Sequence, residues 1–454
     1  MFSPATGAKV IKPEQDGAPT GTWRPQTPIW HLAAPLILAN LSIALLGLVD
    51  TAVVGHLPQP FYIGAVALGA VIFDFLYWGM GFLRMGTTAL VAQRLGKDNY
   101  PGLRNILLRS AIIAAVIAAC ILLLQLPVIH IGLSLLGGSD EVSGFARTYL
   151  LWAIWGAPAV LLNMIVTGAL LGLQNGRAVL IVTVAINLLN ALLDIVFVFG
   201  LQLDVRGVAL ATVIAQYTGT LLGLFYLRRA LSQYAAGRQW RWQGRGLSRL
   251  KGYLPILSLN KDIFLRTLCL IFVFAFFTRQ GAGQGDLVLA GNTILIKFLA
   301  LVALGLDGFA HAAEALVGKA VGQRDRHHFQ QVVYSVFFWA ILLALCYALF
   351  FVLAGDGMIA VMTDIAAVRE VSRTYLYWVV LSPLLSVWCF TLDGIFIGAT
   401  KGVELRNAML VSTLLVFFPV WYLLQGLGNH GLWLALMTFF VARGVTLGWY
   451  YQRF

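Results

Sequence analysis

Asn187, Asn190 and Asp194 follow one another at steps of three and four residues in the apolar stretch INLLNALLDIVFVFG. That spacing puts two amides and a carboxylate on one face of a helix. A second carboxylate, Asp50, stands between the runs PLILANLSIALLGLV and TAVVGHL, and Asn163 and Thr212 add oxygen-bearing side chains in other apolar stretches. Two acids with amide and hydroxyl oxygens can bind a proton or chelate a hard cation such as sodium. A carboxylate at the centre of a membrane-spanning helix costs about 2.5–3.5 kcal/mol on insertion scales, so a sequence that keeps one usually uses it for ions, protons or a substrate. The alternative is that Asn187 and Asn190 only tie helices together, that Asp194 lies at the membrane surface and that Asp50 is structural. Desolvation favours the neutral acid and can move a buried carboxylate by up to about 3–5 units, which brings such a group within reach of physiological pH. Pro35 lies about four turns before Asp50 and removes the helical hydrogen bond to the carbonyl of His31, making it a candidate hinge or a static kink.

The elements that must carry these residues are membrane spans. Of 454 residues, 60% are hydrophobic and 11% charged, and apolar segments long enough to cross a bilayer recur along the chain. Polar and Gly/Pro-rich breaks predict twelve helices at 31–56, 62–95, 104–128, 143–173, 178–200, 206–229, 254–280, 286–320, 330–354, 368–400, 407–426 and 430–451. Arginine and lysine gather in alternate connections, which places those loops and both termini on the cytoplasmic side of a plasma (inner) membrane. The net charge of +12 is accounted for in this way, and nucleic acid is not expected as a partner. Cys120, Cys269, Cys346 and Cys389 stand alone in apolar segments and read as buried, reduced thiols.

A repeat divides the chain. YLLW at 149–152 returns as YLYW at 375–378, GALLG at 168–172 as GIFIG at 394–398, and ALV at 89–91 as ALV at 315–317, all three at one identical offset of half the chain. Six spans per repeat is an even number, so the halves enter from one side and are related by an axis along the membrane normal. The expected fold is an all-α polytopic membrane protein with two pseudo-symmetric six-helix lobes around a central cleft. Its parts are a flexible tail at 1–27, an N-lobe at 28–229, a basic cytoplasmic linker at 230–253 and a C-lobe at 254–454. Two lobes that rock about a cleft make an alternating-access transporter the leading class.

The second half is polar in other places: Lys261, Asp262 and Arg266 in the seventh span, Lys297, Asp307, His311 and Glu314 in the eighth, and Asp393 in the tenth. Asp307, Glu314, Asp393 and Arg266 are secondary site candidates, and opposite charges this deep are expected to pair, as are Asp74 and Arg84 of the second span with their neighbours. No G-x-x-x-x-G-K-[ST], H-E-x-x-H or G-x-S-x-G motif occurs, so an ion gradient rather than ATP is the expected energy source and no enzyme is expected.

LLGLVDTAVVGHL, LRMGTTALVAQRLGKDN, LDGFAHAAEALVGKAVGQRD and LDGIFIGATKGVELRNAM closely resemble the DinF branch of the multidrug and toxic compound extrusion (MATE) transporters, from about residue 28 to the end. The resemblance implies a twelve-helix, two-lobe antiporter that exports small cationic or amphipathic drugs against inward proton or sodium flow. By position it implies Asp50 as the first-span acid, Pro35 as the bend of that helix, Asn190 and Asp194 as the fifth-span amide and acid, Thr212 in the sixth span and Asn163 in the fourth. Arg266 and Arg279 replace the lone seventh-span acid of sodium-driven members, which favours protons and the N-lobe. Sodium at Asp50, Asn190, Asp194 and Thr212 remains the other option, no further cofactor or metal is expected, and the protein is expected to be a monomer among membrane lipids. A lipid or oligosaccharide flippase of the same superfamily is the alternative function. The loop RLGKDNYPGLRN lacks the G-x-x-x-D-R signature of major-facilitator carriers, which have a similar helix count.

Overall fold

The computed structural model describes residues 28–55, 61–137, 139–234, 247 and 249–454; within its helices the side chains at 28, 48, 50–52, 54, 55 and 63 are outside that description. The tail at 1–27, most of the linker and the side chain of Asp50 therefore lie outside the described residues.

The first span is α1 (Pro28–Gly55), which passes through Pro35. The second is α2 (Phe61–Gly79) and α3 (Phe82–Gly96), joined at Met80–Gly81; the third is α4 (Tyr100–Leu123), extended by α5 (Gln125–Leu136). A tight turn links α6 (Asp140–Ala153) to α7 (Ala157–Gly172) in the fourth. The fifth is α8 (Gly176–Ile195), ending in a widened helical turn at Val196–Gly200, and the sixth is α9 (Asp204–Tyr234). The second half has α10 (Leu254–Ala282), α11 (Asp286–Gln323), α12 (Arg326–Met362) and α13 (Ala366–Gly398). Its eleventh span is α14 (Gly402–Leu410), a widened segment at Val411–Phe417 and α15 (Phe418–Leu423); α16 (Asn429–Tyr451) is the twelfth. Among the described residues eleven of these units are long and apolar enough to cross a membrane; α10, with Lys261, Asp262, Arg266 and Arg279, is the more polar twelfth.

Two predicted ends move for physical reasons. Helix α12 continues past residue 354 because Gly355 accommodates the Leu376 side chain and Asp356 pairs with Arg373 at 3.3 Å. The third span continues past 128 as α5, since Pro127 falls in the first turn, where its missing N–H has no partner to lose. The cysteine expectation holds only for Cys389; Cys120 and Cys346 are exposed on helix surfaces and Cys269 is half-buried. In a bilayer, such apolar outer faces need no protein cover.

The internal repeat is visible in backbone detail. Asp98 and Arg324 turn the chain in left-handed conformations (φ 49° and 61°), and so do Gln174 and Thr400 (62° and 57°). The helices that follow the first pair start on equivalent caps, Asn99 Oδ1 accepting from Gly102 N and Asp325 Oδ1 from His328 N. A Cβ on Gly168 would stand 2.5 Å from the Arg84 carbonyl, and one on Gly394 2.2 Å from that of Ala310; Gly172 and Gly398 meet the carbonyls of Thr88 and Glu314 in the same manner. The members of each pair are separated by the offset of the sequence repeat. Between lobes the contact is reciprocal: Gly96 packs on the Lys319 carbonyl, Gly322 on the Gln93 carbonyl, and Gly318 on Ala92. Glycine lets the backbones approach this closely. A pseudo-two-fold axis thus runs between the C-terminal ends of α3 and α11.

Candidate functional site

In the N-lobe, α1 and α8 pack side by side and parallel. Gly176 abuts Leu32, and Asn187 Nδ2 donates to Ser42 Oγ at 2.8 Å, so the pairing keeps its register to within one residue over nearly three turns. Carried along both helices, that register sets position 50 of α1 level with Asp194 and Ile195. Asp194 is fully buried within the protein, and its carboxylate sits where α8 widens into the turn at Val196–Gly200. Widened helical turns recur at functional sites.

Asn190 bridges α8 to α9. Its Nδ2 donates to Asp194 Oδ2 at 3.2 Å and its Oδ1 accepts from Thr212 N at 3.0 Å, while the Thr212 hydroxyl donates to the Val208 carbonyl at 3.0 Å. With the amide turned over, Nδ2 would donate to Thr212 Oγ1 at 3.0 Å and Oδ1 would face Asp194. Asn187, Asn190, Asp194 and Thr212 are therefore brought together, with Ser42 as a partner that sequence reading missed. Ser42 lies on an apolar run and only the helix register exposes its role. Asn163 is not part of this cluster: it faces Gly223, eleven residues and so about 16 Å along α9 from Thr212, and its Oδ1 has no hydrogen-bond partner.

The C-lobe candidates separate into two groups. Arg266 on α10 and Arg443 on α16 both donate to Oδ2 of Asp393 on α13, the Arg443 contact at 2.6 Å. Asp393 and Arg443 are 4% and 1% exposed, so one carboxylate and two guanidinium groups share a buried site. Arg443 was not anticipated; it lies in the otherwise apolar final span. Nearer the lobe boundary, Arg84 on α3 bonds Glu314 on α11 at 3.3 Å, and His311 Nδ1 lies 3.3 Å from Glu314 Oε1 and 3.4 Å from Arg84 Nη2. Asp307 is half-buried one turn before His311, and Asp74 is exposed on α2. Asp262 pairs with Arg406 on α14 at 2.7 Å and, more loosely, with its neighbour Lys261 at 4.0 Å.

Both lobes meet at one end. There Gln93 Nε2 donates to the Gly398 carbonyl and to Thr400 Oγ1, each at 3.1 Å, and Lys319 Nζ to Gln174 Oε1 at 3.2 Å, beside the reciprocal glycine contacts. Well away from that end along α11, Asn40 Nδ2 on α1 also donates to the Leu304 carbonyl, at 3.1 Å.

A bundle of this topology, with a buried acid–amide cluster in the first half, a buried ion triad in the second and a closed seam between them, defines a two-lobe membrane transporter. The MatE family model matches residues 35–196 and again 263–423, once in each half, and the chain belongs to the MATE family, in its DinF branch. It is 41% identical over 426 residues to the DNA damage-inducible protein F of Escherichia coli (strain K12), covering 94% of this chain and 92% of that one. It is 24% identical over 417 residues to the probable multidrug resistance protein NorM of Acinetobacter baylyi, covering 90% and 92%. A solved structure described as the outward-facing conformation of a multidrug resistance MATE family transporter superposes with a TM-score of 0.85 at 21% identity over 94% of this chain and 96% of that one. A transporter of the same superfamily from Pyrococcus furiosus gives 0.84 at 21% identity, with 94% and 95% covered. The protein is a multi-pass membrane efflux transporter rather than an enzyme.

Proposed function

We propose that this protein is a proton-coupled antiporter that exports small amphipathic or cationic drugs by alternating access, with Asp50 as the main protonation site and Asp194 as its partner. The observation that carries this reading is the parallel register of α1 and α8, which sets two acidic positions level beside a buried amide–hydroxyl relay. Relatives described as multidrug resistance or extrusion proteins support the substrate class. An ionised carboxylate accepts the Asn190 N–H; a protonated one donates and suits the turned amide, which faces the Thr212 N–H less favourably. One proton thus exchanges two local arrangements, and a drug that binds better with one competes with the proton.

The pairing of Arg84, Arg266 and Arg443 with acids favours drugs over the phosphate-bearing substrates of a lipid or oligosaccharide flippase. The seam lies at the ends of α3, α7, α11 and α13, beside the basic connections, so with those loops and both termini cytoplasmic the cleft faces outward from the inner membrane. The N-lobe at 28–229 and the C-lobe at 254–454 move as the two bodies of a monomer, with Pro35 as the hinge of α1. Drug-driven ion movement in proteoliposomes, with pH and sodium gradients imposed separately, tests the coupling: flux that follows only the pH gradient is expected, and flux that follows sodium alone would assign the N-lobe oxygens to sodium.

A further inference from the structure

We propose that His311, with Arg84 and Glu314, is a second proton-binding site, in the C-lobe, that latches the seam between the lobes. This rests on the reading of the α3–α11 seam as the closed gate, but not on which drug or coupling ion the N-lobe takes. The Arg84–Glu314 bond, at 3.3 Å, is the one charge pair between the lobes among the described ion pairs. It has no symmetric copy: in the repeat, Ala310 stands at the position equivalent to Arg84, and Thr88 at the position equivalent to Glu314. Immediately beyond it on the same two helices come the seam contacts of Gln93, Gly96, Lys319 and Gly322, so the pair must part when the seam opens.

His311 sits so that one nitrogen addresses both members of the pair. Nδ1 lies 3.4 Å from Arg84 Nη2 and 3.3 Å from Glu314 Oε1. A neutral ring with a bare Nδ1 accepts from Arg84 and strengthens its hold across the seam. A protonated ring donates from Nδ1 to Glu314, one turn along its own helix, and repels Arg84. A bond between lobes is exchanged for one within α11. The side chains of His311 and Arg84 keep 16% and 21% of their exposure while Glu314 keeps 2%, so the ring is not sealed off from a proton source.

The charged groups around the ring are Arg84 from α3, Glu314 and Asp307 from α11, and, on the far side of Asp307, Arg266 from α10, Asp393 from α13 and Arg443 from α16. Helix α7 has no titratable residue, and α12 offers Tyr347 at Gly305. On α1, whose titratable residues are His31 and Asp50, Ala33 and Ile37 pack at Gly308. Arg266 and Arg443 are engaged by Asp393, which leaves Glu314 and Arg84 as the groups in hydrogen-bond reach of Nδ1. Acid in the cleft therefore loosens the seam and alkali tightens it, which suits a carrier that must turn inward after protons arrive from outside.

The test measures seam opening directly, without drug. Spin labels at Arg177→Cys and Val403→Cys, exposed positions equivalent in the repeat, report the distance across that end in nanodiscs, with Cys120, Cys269 and Cys346 replaced by alanine. A longer-distance population that grows on going from pH 8 to 5.5 is expected, and His311→Gln should abolish that growth. Arg84→Gln should raise the open-to-closed ratio about tenfold at both pH values, in the range usual for coupled sites, and the exchanged pair Arg84→Glu with Glu314→Arg should restore closure. Growth with acid that survives His311→Gln, or a wild-type distance that ignores pH, overturns the proposal. Asp50→Asn should leave the pH-dependent distance in place; if it alone removes it, the response belongs to the N-lobe acid and the latch is rejected. Drug-coupled flux, which tests the antiporter reading, is scored separately.

Discussion

At the scale of single residues, the two lobes use acids in opposite ways. Asp194 has as its neighbour the Asn190 amide, which by turning over can serve either protonation state, whereas Asp393 is held between Arg266 and Arg443. Asp50→Asn and Asp194→Asn should each reach the membrane and lose drug-coupled proton flux, by tenfold or more if one carboxylate supplies a proton-linked coupling of about 1.4 kcal/mol. Normal flux from well-inserted Asp50→Asn would remove it from that role. Proton competition also has a sign: drug binding should release protons, and lowering pH should weaken drug affinity, by up to about tenfold per unit for a single linked proton. Calorimetry in buffers of different ionisation enthalpy counts the protons released, and a count of zero across pH 6–8 rejects competition. By contrast, Asp393→Ala strands two buried guanidinium groups and should cost about 3–5 kcal/mol of stability, read as a lowered melting temperature. A variant as stable as wild type would show that the triad is not held as an ion pair.

At the scale of elements, α1 is tied on both sides. Ser42 holds it to α8 and Asn40 to α11, so a change of shape between Pro35 and Asp50 would move the N-lobe site relative to the C-lobe. Pro35 leaves the His31 carbonyl without its helical donor, which on the proposed mechanism would let α1 bend there. Pro35→Ala restores that donor and should hold α1 in one shape, with drug binding kept and turnover lost. Hydrogen exchange at residues 31–39 measures the change directly: unchanged protection together with normal transport would make Pro35 a static kink.

For the whole molecule, the seam brings backbone against backbone at glycine. A Cβ at Gly96 would lie 2.2 Å from the Lys319 carbonyl, and one at Gly322 2.3 Å from the Gln93 carbonyl, both backbone atoms that cannot swing aside. Gly96→Val and Gly322→Val should insert normally but fail to close, and because the contacts are symmetric the two should behave alike. Accessibility of a thiol-reactive probe to cysteines placed at the seam reads this, with increased labelling and lost transport expected from both. Closure that survives either substitution would mean that the two backbones do not approach this nearly during the cycle.

Much of this was legible in one dimension. Twelve spans follow from the alternation of apolar runs with basic or glycine-rich breaks, because a bilayer demands about 20 apolar residues wherever the chain crosses it. The repeat survives as short matches because its glycines and corner residues are constrained by backbone contact, as Gly168 with Gly394 and Asp98 with Arg324 show. The fifth-span face was readable from helical period alone. What period cannot supply is the partner on another helix. That Asn190 joins Thr212 while Asn163 does not, that Ser42 receives Asn187, that Arg443 shares Asp393 with Arg266, and that Arg84 reaches Glu314 depend on the axial register between separate spans. Register is set by glycine crossings and interdigitated side chains spread over the whole bundle, so it is decided only when all the helices have packed together.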